Sequence, residues 1–464
     1  MTIYERINCR IYCYDHSAKQ YTEVYDNVLD ESSIISASIK RQCCPDGAFE
    51  IGGVYAATLS MQVKLPGMSL FQVRGAKIIV WSKYSTENDW CQMGVFWVTD
   101  ATRAGEIYTL NAQDAVGWLD TSCFNDDSNT DYVGKVLYGK YKGAGMALES
   151  YGGAAGWTQY LTAETNRFIQ FQTGIPNMLT WKRWNRYTEN ANEHYCNSHV
   201  WSNETQYEGW WELADPNVIF ANSGDDEIDS ETPRDLYKML AQLMFGFIYA
   251  ESDGCLTLGQ FGANHYGTAQ IGMSEIEYDS CDISDFELKM ARAYVRAEYE
   301  DKSPYFAASL VERDFSRNVY FNVGVESNLF LDWMARGFSP GRTLATVVQG
   351  MWSWFYGFTD GAGVVHEPLH VRPFSCTVHS TERFRIGQKI NITYRDLHES
   401  TSRTYSSIIT STQWTFRGGV QLSCGGADSR VMADCLRASK GDKVRKEARN
   451  RCRALEKRVK QLGG

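Results

Sequence analysis

The residues best suited to metal chemistry stand in the segment HYCNSH, where His194 and His199 flank Cys196. Imidazole and thiolate groups are common zinc ligands, and a structural zinc site takes four ligands. No second cluster of this kind accompanies the segment in the sequence. We therefore interpret it as a polar loop, and we predict neither a metal site nor a cofactor.

Paired carboxylates suggest acid–base chemistry at Asp225-Asp226-Glu227 and at Glu298, Glu300 and Asp301. Glycosidases use two such groups on opposite sides of a scissile bond. Nothing in the sequence places these pairs across a cleft, and runs of charge usually lie on a solvated surface. The common hydrolase and metalloprotease motifs are absent, so the sequence predicts no enzyme and no catalytic residue.

A phosphate-binding loop is nearly matched by GKVLYGK at residues 134–140. In a true loop of this type a Ser or Thr follows the lysine and binds magnesium, whereas Tyr141 stands there. We interpret the match as chance. The nearby tryptophans between Trp157 and Trp211 could stack on sugar rings, but aromatic clusters are more often part of a core or an interface.

Composition excludes further classes of function. The formal net charge is −10 over 464 residues, which disfavours nucleic acid as the main partner because phosphate binding needs a basic surface. The 13 cysteines are scattered, which is typical of reduced core thiols in a protein folded in a cytosol. No signal peptide or membrane-length apolar run is visible, so we expect a protein that is soluble when made.

The elements that would position any site are mostly strands. Residues 76–82, 93–100 and 107–113 are rich in β-branched and aromatic side chains, and the last alternates apolar with polar residues. Arg103-Ala104-Gly105 is a tight turn between the last two strands. Together with strands predicted upstream, they predict a compact all-β domain that is a small barrel.

The same order of strand, loop, strand, Arg-Gly turn and strand recurs near the other end of the chain. GQKINI at 387–392 mirrors GAKIIV at 75–80, and strands predicted at 407–416 and 420–424 flank Arg417-Gly418-Gly419. An internal repeat of this kind predicts two related β-domains in one chain.

The sequence therefore predicts a mainly β (β+α) fold in which two related, tube-like β-barrel domains flank an α+β middle region. The predicted division is a first barrel at 1–120, an aromatic-rich middle domain at 121–265 whose insertion covers 121–225, a second barrel at 266–426 with a helical insertion near 328–358, and a basic C-terminal helix at 427–464.

Two helices carry clear signals. Thr232-Pro233-Arg234-Asp235 is a strong helix start, and Leu236, Leu240, Leu243, Met244 and Phe247 follow as an apolar stripe. In the C-terminal helix an apolar seam includes Val444, Leu455, Val459 and Leu462 at spacings of three and four. That seam predicts either a trimer contact or docking of a partner, and a basic helix packed on its own domain is the plain alternative.

Several segments also resemble a known family. They are FEIGGVY with TLSMQVKL, GAKIIV, GVFWVTDATRAGEIYTLNAQD, TPRDLYKMLAQLMFGF, ESDGCLTL, RIGQKINI and TSTQWTFRGGVQLSCGG, which together span most of residues 1–430. They are similar to the tail hub proteins of phages and prophages of Gram-positive bacteria, and so to the baseplate hub of T-even phages and the N-terminal structural region of tail-associated lysins.

The resemblance implies a homotrimeric baseplate or tail-tip hub in the virion, assembled in the host cytoplasm. It would join a hexameric tail tube or distal tail ring above to a central spike or fibre below, with the tape measure protein in its genome-ejection channel. No lysin domain follows the second barrel, so we expect a structural protein. A tail-associated peptidoglycan hydrolase and a carbohydrate-binding adhesion module are the alternatives.

Overall fold

The computed structural model describes residues 5–120, 233–296 and 351–425 apart from short gaps, together with parts of 146–220 and 305–326. The first 120 residues are almost entirely strands, as their alternating pattern predicts. The elements are β1 (Glu5–Asp15), β2 (Gln20–Glu23), β3 (Leu29–Asp30), β4 (Ile34–Gln42), β5 (Gly53–Val54), β6 (Thr58–Lys64), α1 (Leu70–Val73), β7 (Lys77–Tyr84), β8 (Cys91–Ala104), β9 (Ile107–Gln113) and a 3-10 helix (Ala115–Asp120).

The middle of the chain contributes short strand pairs and one longer helix. Its described elements are β10 (Met146–Ala147), β11 (Lys182–Arg183), β12 (His194–Tyr195), β13 (Ile219–Phe220), α2 (Pro233–Leu243), β14 (Gly246–Ala250) and β15 (Leu256–Gln260). The predicted helix start is confirmed at Pro233, but the helix stops earlier than expected. Phe247 belongs to β14, because the backbone turns at Phe245, whose φ is 52°.

The remaining elements return to strands. They are β16 (Thr268–Ile271), a 3-10 helix (Met273–Glu275), β17 (Asp282–Ile283), β18 (Glu287–Arg296), β19 (Tyr305–Ala307), β20 (Asn318–Glu326), β21 (Phe358–Thr359), β22 (Val365–His366), β23 (Phe374–Val378), β24 (Lys389–Tyr394), β25 (Arg403–Ile408), β26 (Ser411–Thr415) and β27 (Gly419–Cys424). Of the predicted helical insertion, residues 351–356 are helical, Phe358 already belongs to β21, and residues 328–350 lie outside the described residues.

One sheet joins both ends of the chain. Its strands lie in the order β17-β23-β27-β26-β4-β6-β9-β8-β7-β1-β2, and β3 pairs with β1 at its side. The prediction of a mainly β fold is confirmed. The prediction of two closed barrels is not met by the described strands, which form this open sheet with β4 and β26 paired to each other.

The predicted repeat is visible as two four-strand units. The first unit is β4-β6-β9-β8 and the second is β17-β23-β27-β26, with antiparallel neighbours throughout. We call these the first and second units below. Both have the same strand order in the sheet and the same alternation of strand direction.

Matched backbone hydrogen bonds fix the correspondence between the units. The Gly75 N–H donates to the Val98 carbonyl at 2.9 Å, and the Gly387 N–H donates to the Ile409 carbonyl at 2.7 Å. Both glycines have positive φ, 75° and 80°, which a side chain would disfavour. Reverse bonds follow, from Val98 N–H to Ala76 and from Ile409 N–H to Gln388, each at 2.9 Å.

A correction concerns the strand predicted at 407–416, which is two strands. Beside Ile409 the chain changes partner, because β25 pairs with β24 while β26 pairs with β27 and β4. The first unit makes the same change within one continuous strand. The early part of β8 pairs with β7 and the later part with β9, with a bulge between Val98 and Asp100.

Candidate assembly surface

The joint between the two units is a main-chain ladder. β26 and β4 pair in register from Ser411 opposite Gln42 to Thr415 opposite Ser38. The ladder continues at both ends, where the Cys43 N–H donates to Thr410 and the Phe416 N–H donates to Ala37, both at 2.9 Å. Residues more than 300 positions apart are thereby held as neighbouring strands of one sheet.

A buried carboxylate reinforces this joint. Glu5 in β1 is 7% exposed. Its Oε1 accepts a 2.7 Å hydrogen bond from the Trp414 indole N–H, and its Oε2 accepts one of 3.2 Å from the Arg417 backbone N–H. Burial raises the pKa of Glu5, while these two donors oppose that rise. The carboxylate therefore connects the turn after β26 to the first strand of the chain.

Arg383 forms a second connection between the units. Its Nη1 donates to Ser82 Oγ at 2.7 Å, and its Nη2 donates to Glu87 Oε2 at 2.9 Å. The guanidinium also lies 4.5 Å from the ring centroid of Tyr84. Since Ser82 is fully buried, this arginine ties the loop before β24 to the inside of the β7 region.

Between the units lies a cavity of about 150 Å³. Its lining includes Arg41, Tyr84, Met93, Glu251, Arg383 and Trp414. Burial lowers the pKa of Arg41, whose guanidinium donates to the Met93 carbonyl. The guanidinium groups of Arg41 and Arg383 thus donate to residues of neighbouring strands and hold the two sides of the cavity together.

The end of the first unit carries a buried acid. Asp114 follows β9 and is 4% exposed, and its Oδ1 accepts a 3.0 Å hydrogen bond from the Val116 N–H. Burial raises the pKa of Asp114 to about 7, although backbone donors and Arg41 oppose the rise. Beside it Arg234 of α2 donates to the Val116 carbonyl at 3.1 Å and to Asp120 Oδ2 at 2.7 Å, so the helix docks on this end.

A carboxylate in β18, beside the second unit, is in the opposite electrostatic setting. Glu287 accepts hydrogen bonds from Arg372 Nη2 at 3.0 Å and lies 2.8 Å from Lys289 Nζ and 3.3 Å from His370 Nδ1. The bonds to His370 and Lys289 hold the pKa of Glu287 well below its usual range, although burial opposes the fall. This cluster fixes the start of β18 against the segment that leads into β23.

Each unit also has an edge that carries no partner strand in the described sheet. In the second unit the outer edge of β26 is covered by β4, whereas the corresponding edge of β8, around Ala101, pairs with no described strand. In the other direction β4 has β6 and β26 on its two sides, whereas its counterpart β17 pairs with β23 alone among the described strands. The two strands with an open edge, β8 and β17, are therefore the counterparts of β26 and β4, the two strands that form the joint.

The residues singled out in the sequence for chemistry do not converge on a site in the described structure. His194 lies in β12 opposite Arg183. Most of the other candidates lie outside the described residues: Cys196, His199, the carboxylates at 225–227 and 298–301, the segment 134–141, the tryptophans from 157 to 211, and Val444, Leu455, Val459 and Leu462. Glu5, Arg383 and Asp114 were not singled out, because a lone charged residue in a strand pattern carries no sequence signal of burial.

Among the described residues there is neither a metal-binding cluster nor a membrane-spanning helix. No group of three or more His, Cys, Asp or Glu side chains there is placed to hold a metal ion. Likewise, no helix in the described part of the chain combines the length and apolar character needed to cross a bilayer.

No known protein family profile and no curated protein matches this chain. Solved structures with a partial likeness include the tail protein from Neisseria meningitidis MC58, at 11% identity and a TM-score of 0.42, covering 91% of this chain and 96% of that one. The 43 kDa tail protein of prophage MuSo2 from Shewanella oneidensis gives 9% identity and a TM-score of 0.42, covering 90% and 97%.

A third likeness is to the baseplate of phage P2 in its activated conformation with Ca, at 10% identity and a TM-score of 0.26, covering 91% of this chain and 100% of that one. TM-scores below 0.5 do not establish a shared fold.

Proposed function

We propose that this chain is a structural hub of a bacteriophage tail tip or baseplate, acting as a homotrimeric adaptor. It would join a six-fold tail tube or distal ring to a central spike or fibre and would line the genome-ejection channel. The sequence resemblance suggests the role. The observation that carries it in the structure is the pair of matching four-strand units joined through β4 and β26.

The unit repeat supports three-fold assembly by a simple argument. A joint between unlike surfaces of a repeated unit generates a ring when the rotation closes. Within one chain β26 of the second unit meets β4 of the first. Between chains the equivalent joint is the part of β8 after Val98, where β7 no longer pairs with it, against β17 of the next copy, which pairs with β23 alone among the described strands. Three chains then present six similar units to a six-fold partner.

Backbone geometry identifies which groups would form that joint. The Cys43 N–H donates to the Thr410 carbonyl and the Phe416 N–H donates to the Ala37 carbonyl. Because main-chain N–H groups point alternately to the two sides of a strand, the Thr412 N–H points to β4. Ala101 is the counterpart of Thr412, by the correspondence of Val98 with Ile409. Its main-chain N–H therefore points to the open edge of β8.

Charge is consistent with a channel. A net charge of −10 does not favour binding to phosphate backbones, so DNA passing through an assembly of such chains would not be held by it. We propose a virion location after assembly in the host cytoplasm, and no lytic activity. The tape measure protein in the channel and a spike contact through Val444, Leu455, Val459 and Leu462 also remain predictions, as does the four-part domain division.

Proline substitution tests the assembly, because proline removes a main-chain donor. Ala101→Pro should abolish the trimer measured by light scattering of the purified chain, by removing the donor on the β8 edge. Ile283→Pro should do the same at β17. Ser284 donates to the Pro373 carbonyl, so strand alternation points the Ile283 N–H away from β23.

The joint pairs two different edges, β8 of one copy and β17 of the next, and this gives a stricter test. Each proline variant retains the edge that the other lacks, so an equal mixture should form dimers while each variant alone stays monomeric. Unchanged circular dichroism of each proline variant controls for folding. Trimers of either variant, or a mixture that stays monomeric, would refute this joint. Clearing of bacterial cell walls by the purified chain in zymography would refute the non-enzymatic role.

A further inference from the structure

Two thiols lie directly opposite each other at the outer strand of the sheet. β17 and β23 pair with Asp282 opposite Ser375 and Ile283 opposite Phe374, which places Cys281 opposite Cys376. The Cys376 thiol makes a side-chain hydrogen bond with Cys281, so the two sulfur atoms are in contact. Both cysteines are free thiols in the structure.

The position of this pair in the ladder is favourable for a covalent bond. Ser284 N–H donates to the Pro373 carbonyl at 2.9 Å, so residues 284 and 373 form a hydrogen-bonded pair. Since such pairs alternate along antiparallel strands, Cys281 and Cys376 occupy a non-hydrogen-bonded pair, where Cα atoms are about 4.5 Å apart. That separation lies within the range of roughly 4.4–6.8 Å found for disulfides.

The two thiols differ in access and in acidity. Cys376 is fully buried in β23, whereas Cys281 is only half-buried at the sheet edge. The hydrogen bond from Cys376 lowers the pKa of Cys281 and raises the pKa of Cys376. Because the thiolate is the nucleophile, Cys281 is the thiol that meets an oxidant first.

We propose that Cys281 and Cys376 are a redox modification site that forms a reversible cross-strand disulfide by exchange with a small-molecule disulfide of the glutathione type. The Cys281 thiolate attacks one sulfur of that disulfide, forms a mixed disulfide and releases one small thiolate. Cys376 then gives up its proton, attacks the Cys281 sulfur and releases the second small thiol. One external disulfide is reduced to two thiols and the protein dithiol is oxidised, so the electrons balance.

The bond would act on the weakest strand of the second unit. β17 has two residues in register with β23, so few main-chain bonds hold it. A covalent link between residues 281 and 376 would retain this strand when the sheet edge opens. A chain leaving a reducing cytosol would thereby gain resistance to opening at this edge, and the inference does not depend on the proposed role in a phage tail.

Peptide mapping after treatment of the full chain with oxidised glutathione tests the proposal. We expect a peptide pair joined through Cys281 and Cys376 that disappears after reduction, and a higher melting temperature of the oxidised chain. Cys376→Ser should leave Cys281 as a mixed disulfide with glutathione, and Cys281→Ser should leave Cys376 reduced. In both variants the rise in melting temperature should be lost.

Cys91 provides the matched control, since it is also half-buried at a strand end but faces Ser82 across the ladder. Cys91→Ser should leave the joined peptide and the thermal shift unchanged. The proposal is overturned if the folded wild-type chain gives no joined peptide at oxidant levels that modify Cys91. It is also overturned if Cys281→Ser retains the full thermal shift.

Discussion

The first and second units have the same strand order but differ in how much of it they can support alone. In the first unit β4 spans nine residues and lies between two strands. In the second unit its counterpart β17 spans two residues and pairs with β23 alone among the described strands. At its other side the second unit ends in β26, whose outer neighbour is β4 of the first unit. The repeat therefore supplies two units of unequal strand length that share one joint, and we predict that the second unit depends on the first for its stability.

The largest expected effect comes from the residue that connects the units most directly. Trp414 is 3% exposed, and its indole N–H is bonded to the buried Glu5. Trp414→Ala should reduce the free energy of unfolding by about 3–5 kcal/mol, because it leaves a cavity and an unpaired carboxylate. Denaturant unfolding measures this loss.

The control for Trp414 is another tryptophan. Trp90 is 38% exposed, so Trp90→Ala should change the free energy of unfolding by only about 0.5 kcal/mol. If the second unit depends on the first, Trp414→Ala should shift a single transition that both units share. Loss of the second unit alone, with the first unit unfolding as in the wild type, would contradict the dependence argued here.

Acidity should distinguish Asp114, at the end of the first unit, from Glu287, beside the second unit, since the pKa values of the two carboxyl groups are shifted in opposite directions. Asp114 has its pKa raised to about 7 in the folded chain, so the folded state binds a proton that the unfolded state has lost. Stability should therefore fall as the pH rises from about 4 to about 7, by up to about 4 kcal/mol at ~1.4 kcal/mol per pKa unit. Asp114→Asn should remove most of this slope in pH-dependent denaturant unfolding, and the remainder comes from Glu5, whose pKa burial also raises.

Glu287 in β18, beside the second unit, gives the opposite sign. Its pKa is depressed in the folded chain, so its contribution is present above the unfolded value of 4.5 and is lost as the pH falls below it. Glu287→Gln should flatten the acid side of the stability curve and leave the slope between pH 4 and 7 unchanged. A wild-type curve that is level from pH 4 to 7 would refute the assignment to Asp114.

The sequence was informative where apolar periodicity or glycine decides the local structure. Tyr108, Leu110 and Ala112 alternate in β9 and are all buried, as the pattern predicts. GAKIIV and GQKINI were matched correctly, because both begin with a glycine whose positive φ is needed to enter the strand. These features depend on neighbours in sequence, and a single chain displays them.

Most of the features that the sequence did not predict depend on residues far apart in the chain. The pairing of β4 with β26 replaced two closed barrels by one open sheet, and no local pattern specifies which strand an edge selects. The burial of Glu5 follows from that same pairing, since its partners are Trp414 and Arg417. The sequence also predicted an apolar helical stripe that continues to Phe247. This was wrong because the backbone turns at Phe245 with a positive φ, which a phenylalanine side chain does not predict.

The smallest expected effect tests whether charge also connects the units. Arg383→Met removes two hydrogen bonds, to Ser82 and Glu87, and a contact with the Tyr84 ring. It should lower the free energy of unfolding by about 1–3 kcal/mol, because the buried Ser82 hydroxyl and the Glu87 carboxylate lose their donor. Arg74→Met is the matched control, since Arg74 pairs with Asp100 at 3.8 Å where both side chains are more than half exposed, and it should cost about 0–1 kcal/mol. Equal losses for the two variants would mean that the second unit is held to the first by the β4–β26 ladder and the Trp414 contact alone.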